Sequence, residues 1–258
     1  MMTAGLSGVV VTNAPGNMTR DGSRRYVLGV DPKESKARFR LLLQLPDEQL
    51  PLDVLCLLIC QLAGDDIVVE DEQRRIDEIS RVIPPSFEGV VSFLFTGPGG
   101  IRGNTENYYD VNNSLLSRVR DRGIGIPITM SVIAMECARR IDVPMVGIGL
   151  PGHFIVRSGA DSDLFADPFH AGALLDRNGV LALFRRLAGP GAAWHDSYLH
   201  PVSARDIVFR VLNNIKLASG RTFAGRAMLP WVLELLSWFP QGEPFDPRTA
   251  AALMSPYN

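Results

Sequence analysis

The sequence predicts an α+β fold, a helical majority packed around one small antiparallel sheet. Three observations point there. Apolar residues recur at helical spacing from Ala37 to Ile141 and again beyond Leu174. After Pro144 the period changes, and three short runs suited to strands follow, the last ending at Asp167. No repeat of fixed period runs through the chain, which sets repeat architectures aside.

Residues 1 to about 30 mix Gly, Ser, Asn, Thr and Arg without an apolar period. Such a segment buries too little surface to offset its ordering entropy, so it reads as a flexible arm. Phe39, Leu42 and Leu43, then Leu52 to Leu62, give two helices separated at Pro46 and Pro51, the second apolar on nearly all sides. Ile76, Ile79 and Ile83 mark a third helix stopped by Pro84–Pro85. A short helix over Ser86–Phe95 ends in a Gly-Pro-Gly-Gly turn at 97–100, and 102–114 reads as a polar loop. Asn113 or Ser114 can cap a helix to about Arg122, and Pro127 suits the first turn of a helix through Ile141. Met145–Leu150 and His153–Arg157 form a hairpin around Pro151–Gly152, and Leu164–Asp167 is a third strand. Helices over Leu174–Leu187, Ala204–Ala218 and Met228–Phe239 complete the chain. The expected division is an arm at 1–30, an α+β domain with its own N-terminal helices at 31–200, and a helical extension at 201–258.

Of 258 residues, 46% are hydrophobic and 21% charged, which excludes wholesale disorder, collagen and a disulfide scaffold. A net charge of −2 gives no electrostatic reason to expect nucleic acid or an anionic membrane as partner. Neither Val54–Leu62 nor Leu229–Phe239 reaches the roughly 20 apolar residues that cross a bilayer. The first residues lack the basic and apolar blocks of a secretion signal, so a cytoplasmic protein is expected.

The residues that could carry chemistry cluster between 104 and 172. A helix opening at Gly125–Ile126–Pro127, a strand beginning with His153 and a strand ending with Asp167 are the frame of a Cys-His-Asp hydrolase or acyltransferase. In that frame the helix start lowers a thiol pKa, the imidazole serves as base and the carboxylate orients it. Here Pro127 stands where the nucleophile belongs. Cys137 lies about 15 Å along the same helix at 1.5 Å per residue, out of reach. Thr129 and Ser131 are nearer, and Thr129 is expected to satisfy open backbone groups at the helix start. Cys56 and Cys60 share a helix face among leucines and read as core. His153, Asp167 and His170 have the composition of a facial metal site but no spaced ligand signature, so no metal is expected. The glycine turns at 97–103 and 123–125 lack a nucleotide-binding pattern, and no cofactor is expected.

Taken in order, Tyr-Tyr-Asp at 108–110, Asn-Ser at 113–114, Gly-Ile-Pro-Ile-Thr at 125–129, Pro-Gly-His-Phe at 151–154 and Asp-Pro-Phe-His at 167–170 resemble the SirB-type transglutaminase-like family. That resemblance implies a papain-like transglutaminase core, commonly followed by tetratricopeptide-type helices. It implies that His153 and Asp167 match the catalytic histidine and aspartate of the wider group. Counting back from Asp142–Val143–Pro144 places the lost cysteine at Pro127. The expected pocket around the pair is made by Asn104, Tyr108, Tyr109, Asn113, Thr129, Met130, Ser131, Gly152, Phe154 and His170.

Three functional readings stay open at this level. The leading one is a cysteine-less domain whose former active-site groove binds a peptide, a protein partner or a small metabolite. The second is a thiol-independent enzyme in which His153, polarised by Asp167, is a general base for acyl transfer, hydrolysis or cyclisation. The third is a scaffold whose helices beyond residue 204 dock a partner through Trp231, Trp238 and Phe239.

Overall fold

A computed structural model describes residues 31–189, 191–221 and 225–244. The arm expected at 1–30 lies outside the described residues. The described chain opens with α1 (Pro32–Leu42), whose start is capped by Asp31 accepting from the Lys33 amide at 2.9 Å. In α2 (Leu52–Leu62) nine of eleven residues are buried, as its all-round apolar sequence requires. The third helix, α3 (Val69–Ser80), stops three residues short of Ile83. The next helix, α4 (Phe87–Phe95), is capped by Ser86 accepting from the Gly89 amide. Pro84 disfavours helical backbone in the residue before it, so Ile83 reaches the core from outside the helix.

Two short strands, β1 (Arg102–Gly103) and β2 (Ile124–Gly125), pair in parallel and bracket α5 (Leu116–Arg122), which closes on Gly123 at φ 63°. The residue capping α5 is Leu115, not Asn113 or Ser114. Asn113 is buried in a preceding 3₁₀ turn, and its amide donates to the carbonyls of Asn107 and Tyr108. Behind this lies α6 (Pro127–Arg140), the central helix, with eleven of fourteen residues buried.

The sheet is a four-stranded antiparallel meander of β3 (Met145–Ile148), β4 (Ile155–Ser158), β5 (Phe165–Asp167) and β6 (Ala173–Leu175). Period-two alternation divides it between two cores: Val156 and Ala166 face α6, whereas Ile155 and Phe165 face the other way. The second core is closed by Val180 and Leu183 of α7 (Arg177–Ala188). Full burial of each such side chain contributes about 1.5–3 kcal/mol. The last strand, β6, is absent from the sequence reading, which runs its residues into the following helix. Ala173 and Leu174 are exposed, so no hydrophobic alternation marks them.

The two remaining helices, α8 (Ala204–Ser219) and α9 (Leu229–Leu236), enter the main core through Val208, Val211, Leu212, Val232 and Leu235. Phe239 is buried, and Trp231 and Trp238 pack partly buried against the same core. These three aromatics therefore serve internal packing. Among the described residues no helix is long and apolar enough to cross a membrane.

Candidate functional site

Asp167 ends β5, where Pro168 cannot continue the ladder, and caps the 3₁₀ turn Pro168–His170. Its Oδ1 accepts the backbone amides of Phe169 at 3.1 Å and His170 at 3.3 Å. Its Oδ2 is shared by two imidazoles, His153 Nε2 at 2.9 Å and His170 Nδ1 at 2.7 Å. Burial opposes ionisation of this carboxyl, but hydrogen bonds and charge from His153 and His170 outweigh it and hold its pKa below the ordinary value. The neighbouring Phe169 fixes the turn from the other side. A Cβ on Gly103 would come within 2.6 Å of both its ring and its carbonyl, so only glycine fits in β1 there.

His153 does not begin a strand. β3 ends at Ile148 and β4 starts at Ile155, because Pro151 and Gly152, the latter at φ 72°, make a turn between them. The imidazole is carried on that turn and is buried. Arg210 of α8 fixes the backbone of that turn by donating from Nη2 to the carbonyls of Leu150 at 3.2 Å and His153 at 3.1 Å, with its guanidinium over the Phe154 ring at 5.2 Å. Gly149 makes room for this clamp, since a Cβ there would lie 2.1 Å from Arg210 Nη1. Among the described residues Arg210 forms no ion pair with a carboxylate.

Beside the imidazole is a cavity of about 300 Å³. Tyr108, Tyr109, Pro127, Ile128, Gly152, His153 and Phe154 line one side of it. Arg210, Asn213, Asn214 and Leu217 of α8 form the other. Arg221 stacks on Tyr109 at 3.4 Å, and the two tyrosines meet edge to face.

Pro127, Tyr108, Tyr109, Gly152 and Phe154 thus stand with His153 at one cavity. The remaining expected pocket residues lie elsewhere. Asn104 bonds Asn113 and holds the tyrosine loop from beneath. Met130 and Ser131 are fully buried in α6, and His170 sits behind Asp167 with its side chain 43% exposed. Thr129 does not satisfy the helix start. Its Oγ1, like Ser131 Oγ, is buried without a hydrogen-bond partner among the described residues, because the third residue of α6 already faces the core.

Sequence reasoning missed the α8 wall. Arg210, Asn213, Asn214 and Leu217 are spaced i, i+3, i+4, i+7, one stripe of a helix, and three of the four are polar. That stripe was the available signal, because its opposite face is the strongly apolar Val208, Val211, Leu212 and Ile215.

Among the described residues that line the cavity there is no thiol and no aliphatic hydroxyl. Its phenol at Tyr108 is pushed to higher pKa by burial and by Tyr109, which keeps it protonated. The ring of His153 hydrogen-bonds only to Asp167, leaving Nδ1 without a partner among the described residues. The cysteines are all free and buried: burial pushes Cys60 and Cys137 up to about 11 and raises Cys56 as well. Such thiols are protonated and unreactive at neutral pH.

Comparison with known proteins adds the following. A profile described as the transglutaminase-like superfamily matches residues 74–213, just over half of the chain, a span that includes Pro127, His153, Asp167 and Arg210. The chain is 35% identical over 185 residues to a UPF0162 protein of Xylella fastidiosa (strain Temecula1), covering 66% of this chain and 65% of that protein. It is 30% identical over 173 residues to a UPF0162 protein of Pseudomonas aeruginosa, with 63% of each covered. It is also similar to part of the human F-box only protein 21, 27% identical over 133 residues, 48% of this chain and 21% of that protein. The chain therefore spans just under two thirds of the length of these two bacterial relatives. No solved structure matches it.

Proposed function

We propose a function from one premise: this chain belongs to the transglutaminase-like superfamily. Within that superfamily we read it as a SirB-type member whose former active-site cavity binds its ligand without forming a covalent intermediate. The observation that carries this is Pro127, which opens α6 at the cavity where, among the described residues, His153 Nδ1 has no partner and no thiol stands. In this frame the imidazole–carboxylate pair activates a thiol or hydroxyl for acyl transfer, and none lines the cavity among the described residues.

The cavity walls narrow the ligand class. Among the described residues no acidic side chain lines the cavity, and its charged group is the Arg210 guanidinium, which makes no ion pair there and is flanked by the amides of Asn213 and Asn214. Donors of this kind favour a carboxylate- or amide-bearing ligand, a peptide segment or a small acidic metabolite. A charge-assisted hydrogen bond to such a ligand is worth about 1.5–3 kcal/mol, roughly 10- to 100-fold in affinity. The test is a library of short peptides with free C-terminal carboxylates, presented to the wild type and to Asn214→Glu, which sets a competing carboxylate beside Arg210 from a half-buried position. Binding that falls at least tenfold in Asn214→Glu, with every peptide recovered at unchanged mass, is the expected result.

A second reading is favoured by the same free Nδ1: His153 as general base on a water, contributing about 10²–10⁴ in rate. Peptide cleavage or cyclisation that disappears in His153→Ala and Asp167→Asn would select it and end the non-catalytic reading.

A further inference from the structure

We propose that His153, Asp167 and His170 form a binding site for one divalent transition-metal ion of the zinc class. The donor atoms already converge. Nε2 of His153, Oδ2 of Asp167 and Nδ1 of His170 make the two N···O contacts of 2.9 and 2.7 Å, and the donor atoms of the three residues all lie within 4.8 Å of one another. An ion bound at 2.0–2.1 Å in tetrahedral geometry holds its ligands about 3.3 Å apart. The two N···O separations are hydrogen-bond distances shorter than that, so binding an ion in place of the shared protons needs the half-exposed His170 ring to shift outward by a few tenths of an ångström.

The surroundings are those of a prepared ligand set. The two backbone amides on Oδ1 lock the carboxylate so that Oδ2 alone is presented, which is the outer-shell role that orients a metal-binding carboxylate. Among the described residues no lysine or arginine pairs with Asp167 to compete for that oxygen. Two imidazoles and one carboxylate suit zinc, iron or copper and are poor for magnesium or calcium. Exposure of His170 gives an ion a path from solvent and leaves a position open to water.

One consequence reaches the cavity. With Nε2–H donating to Asp167, neutral His153 carries its lone pair on Nδ1. An ion on Nε2 moves the ring proton to Nδ1, so the free nitrogen changes from acceptor to donor. Metal binding and general-base action by Nδ1 therefore exclude one another. The inference rests on the Asp167 geometry and not on the ligand proposed above, so either can fail alone.

The experiment titrates Zn²⁺ alone into the full chain after chelator treatment, with calorimetry and elemental analysis. Co²⁺ substitution supplies a visible ligand-field spectrum. One equivalent per chain is expected, weakened at least tenfold in His170→Ala and in Asp167→Asn and unchanged in His195→Ala. His170→Ala removes a half-exposed ring, and circular dichroism checks that its fold is kept. No saturable uptake, or uptake that follows His195 or ignores His170, would overturn the site.

Discussion

Replacing Pro127 by cysteine should create a reactive thiol in a protein whose own thiols are inert. The position is the first residue of α6, is buried, and shares the cavity with His153. A helix start beside an imidazole brings a thiol from about 8.5 into the range of roughly 3.5–7.5. Taking about 6.5, some three quarters of the introduced thiol is thiolate at pH 7. Cys60 and Cys137, at about 11, are ionised to about one part in 10⁴. The thiolate advantage of nearly 10⁴ is reduced about a hundredfold because nucleophilicity falls with pKa, with a Brønsted slope of about 0.4–0.5. Alkylation of Pro127→Cys should therefore run about 10² faster than that of any native cysteine, before burial of the native thiols widens the gap. Proline loss costs at most about 1 kcal/mol through the unfolded chain, so the fold should survive. Iodoacetamide labelling followed by peptide mass mapping from pH 5 to 9 measures the rate and the apparent pKa. Adding His153→Ala should return the thiol towards 8.5 and slow labelling about tenfold at pH 6. A rate profile like that of an ordinary exposed cysteine, indifferent to His153, would refute the placement of the lost nucleophile.

Other perturbations follow from the buried charges. Arg140 holds Asp53 at 2.5 Å, Glu136 at 2.6 Å and Asp77 at 2.5 Å, with Asp53 only 1% exposed. Arg140→Met leaves two buried carboxylates short of their main partner and should cost about 3–5 kcal/mol in urea unfolding, with partial recovery in the double variant carrying Asp53→Asn. Acid should destabilise the protein through Asp53 and Asp167. Both are buried, which resists ionisation, yet Arg140 and Gln73 in one case and the two histidines in the other lower their pKa values. A depressed folded pKa gives stability that is fully present above the unfolded value of about 3.9 and is lost as pH falls through the folded values. Urea midpoints should thus be flat near neutrality and drop below pH 4, less steeply in Asp167→Asn; an equal slope in that variant would contradict the assignment.

The parts of the fold legible in the sequence are those fixed by local chemistry. Ser86 before α4, Pro127 at the start of α6, and the apolar run of α2 each state their own structure. The pair His153–Asp167 was legible as two residues but not as geometry, because the hydrogen bond depends on a turn at 149–152 and on the register of β4 with β5. One miss was local and two were not. Thr129 carries a good capping side chain, but capping demands the residue before the helix, and Thr129 lies inside it. Strand β6 has no alternation to betray it, since pairing with β5 alone makes it a strand. The α8 wall is more than fifty residues from His153 in sequence, and only packing brings Arg210 to the carbonyl of that residue.

That last contact gives α8 two roles that cannot be separated. Its stripe at 210, 213, 214 and 217 is one wall of the cavity, and the first residue of the stripe clamps the turn bearing the imidazole. The guanidinium satisfies Leu150 and His153 with Nη2, rests its Nη1 against Gly149 and stays without a carboxylate partner among the described residues. A ligand carboxylate can meet this cation through the N–H groups that Nη2 does not commit to the turn, so the side chain that faces the cavity is also the one that holds the turn bearing His153. The linkage requires no relay through the core, because Arg210 touches both ends itself. The contact is to the backbone carbonyls of the turn and not to the ring, so what it ties to cavity occupancy is the placement of residues 150–153, and any such coupling is reciprocal in free energy. In Arg210→Met the cavity remains, but this mutual dependence should vanish.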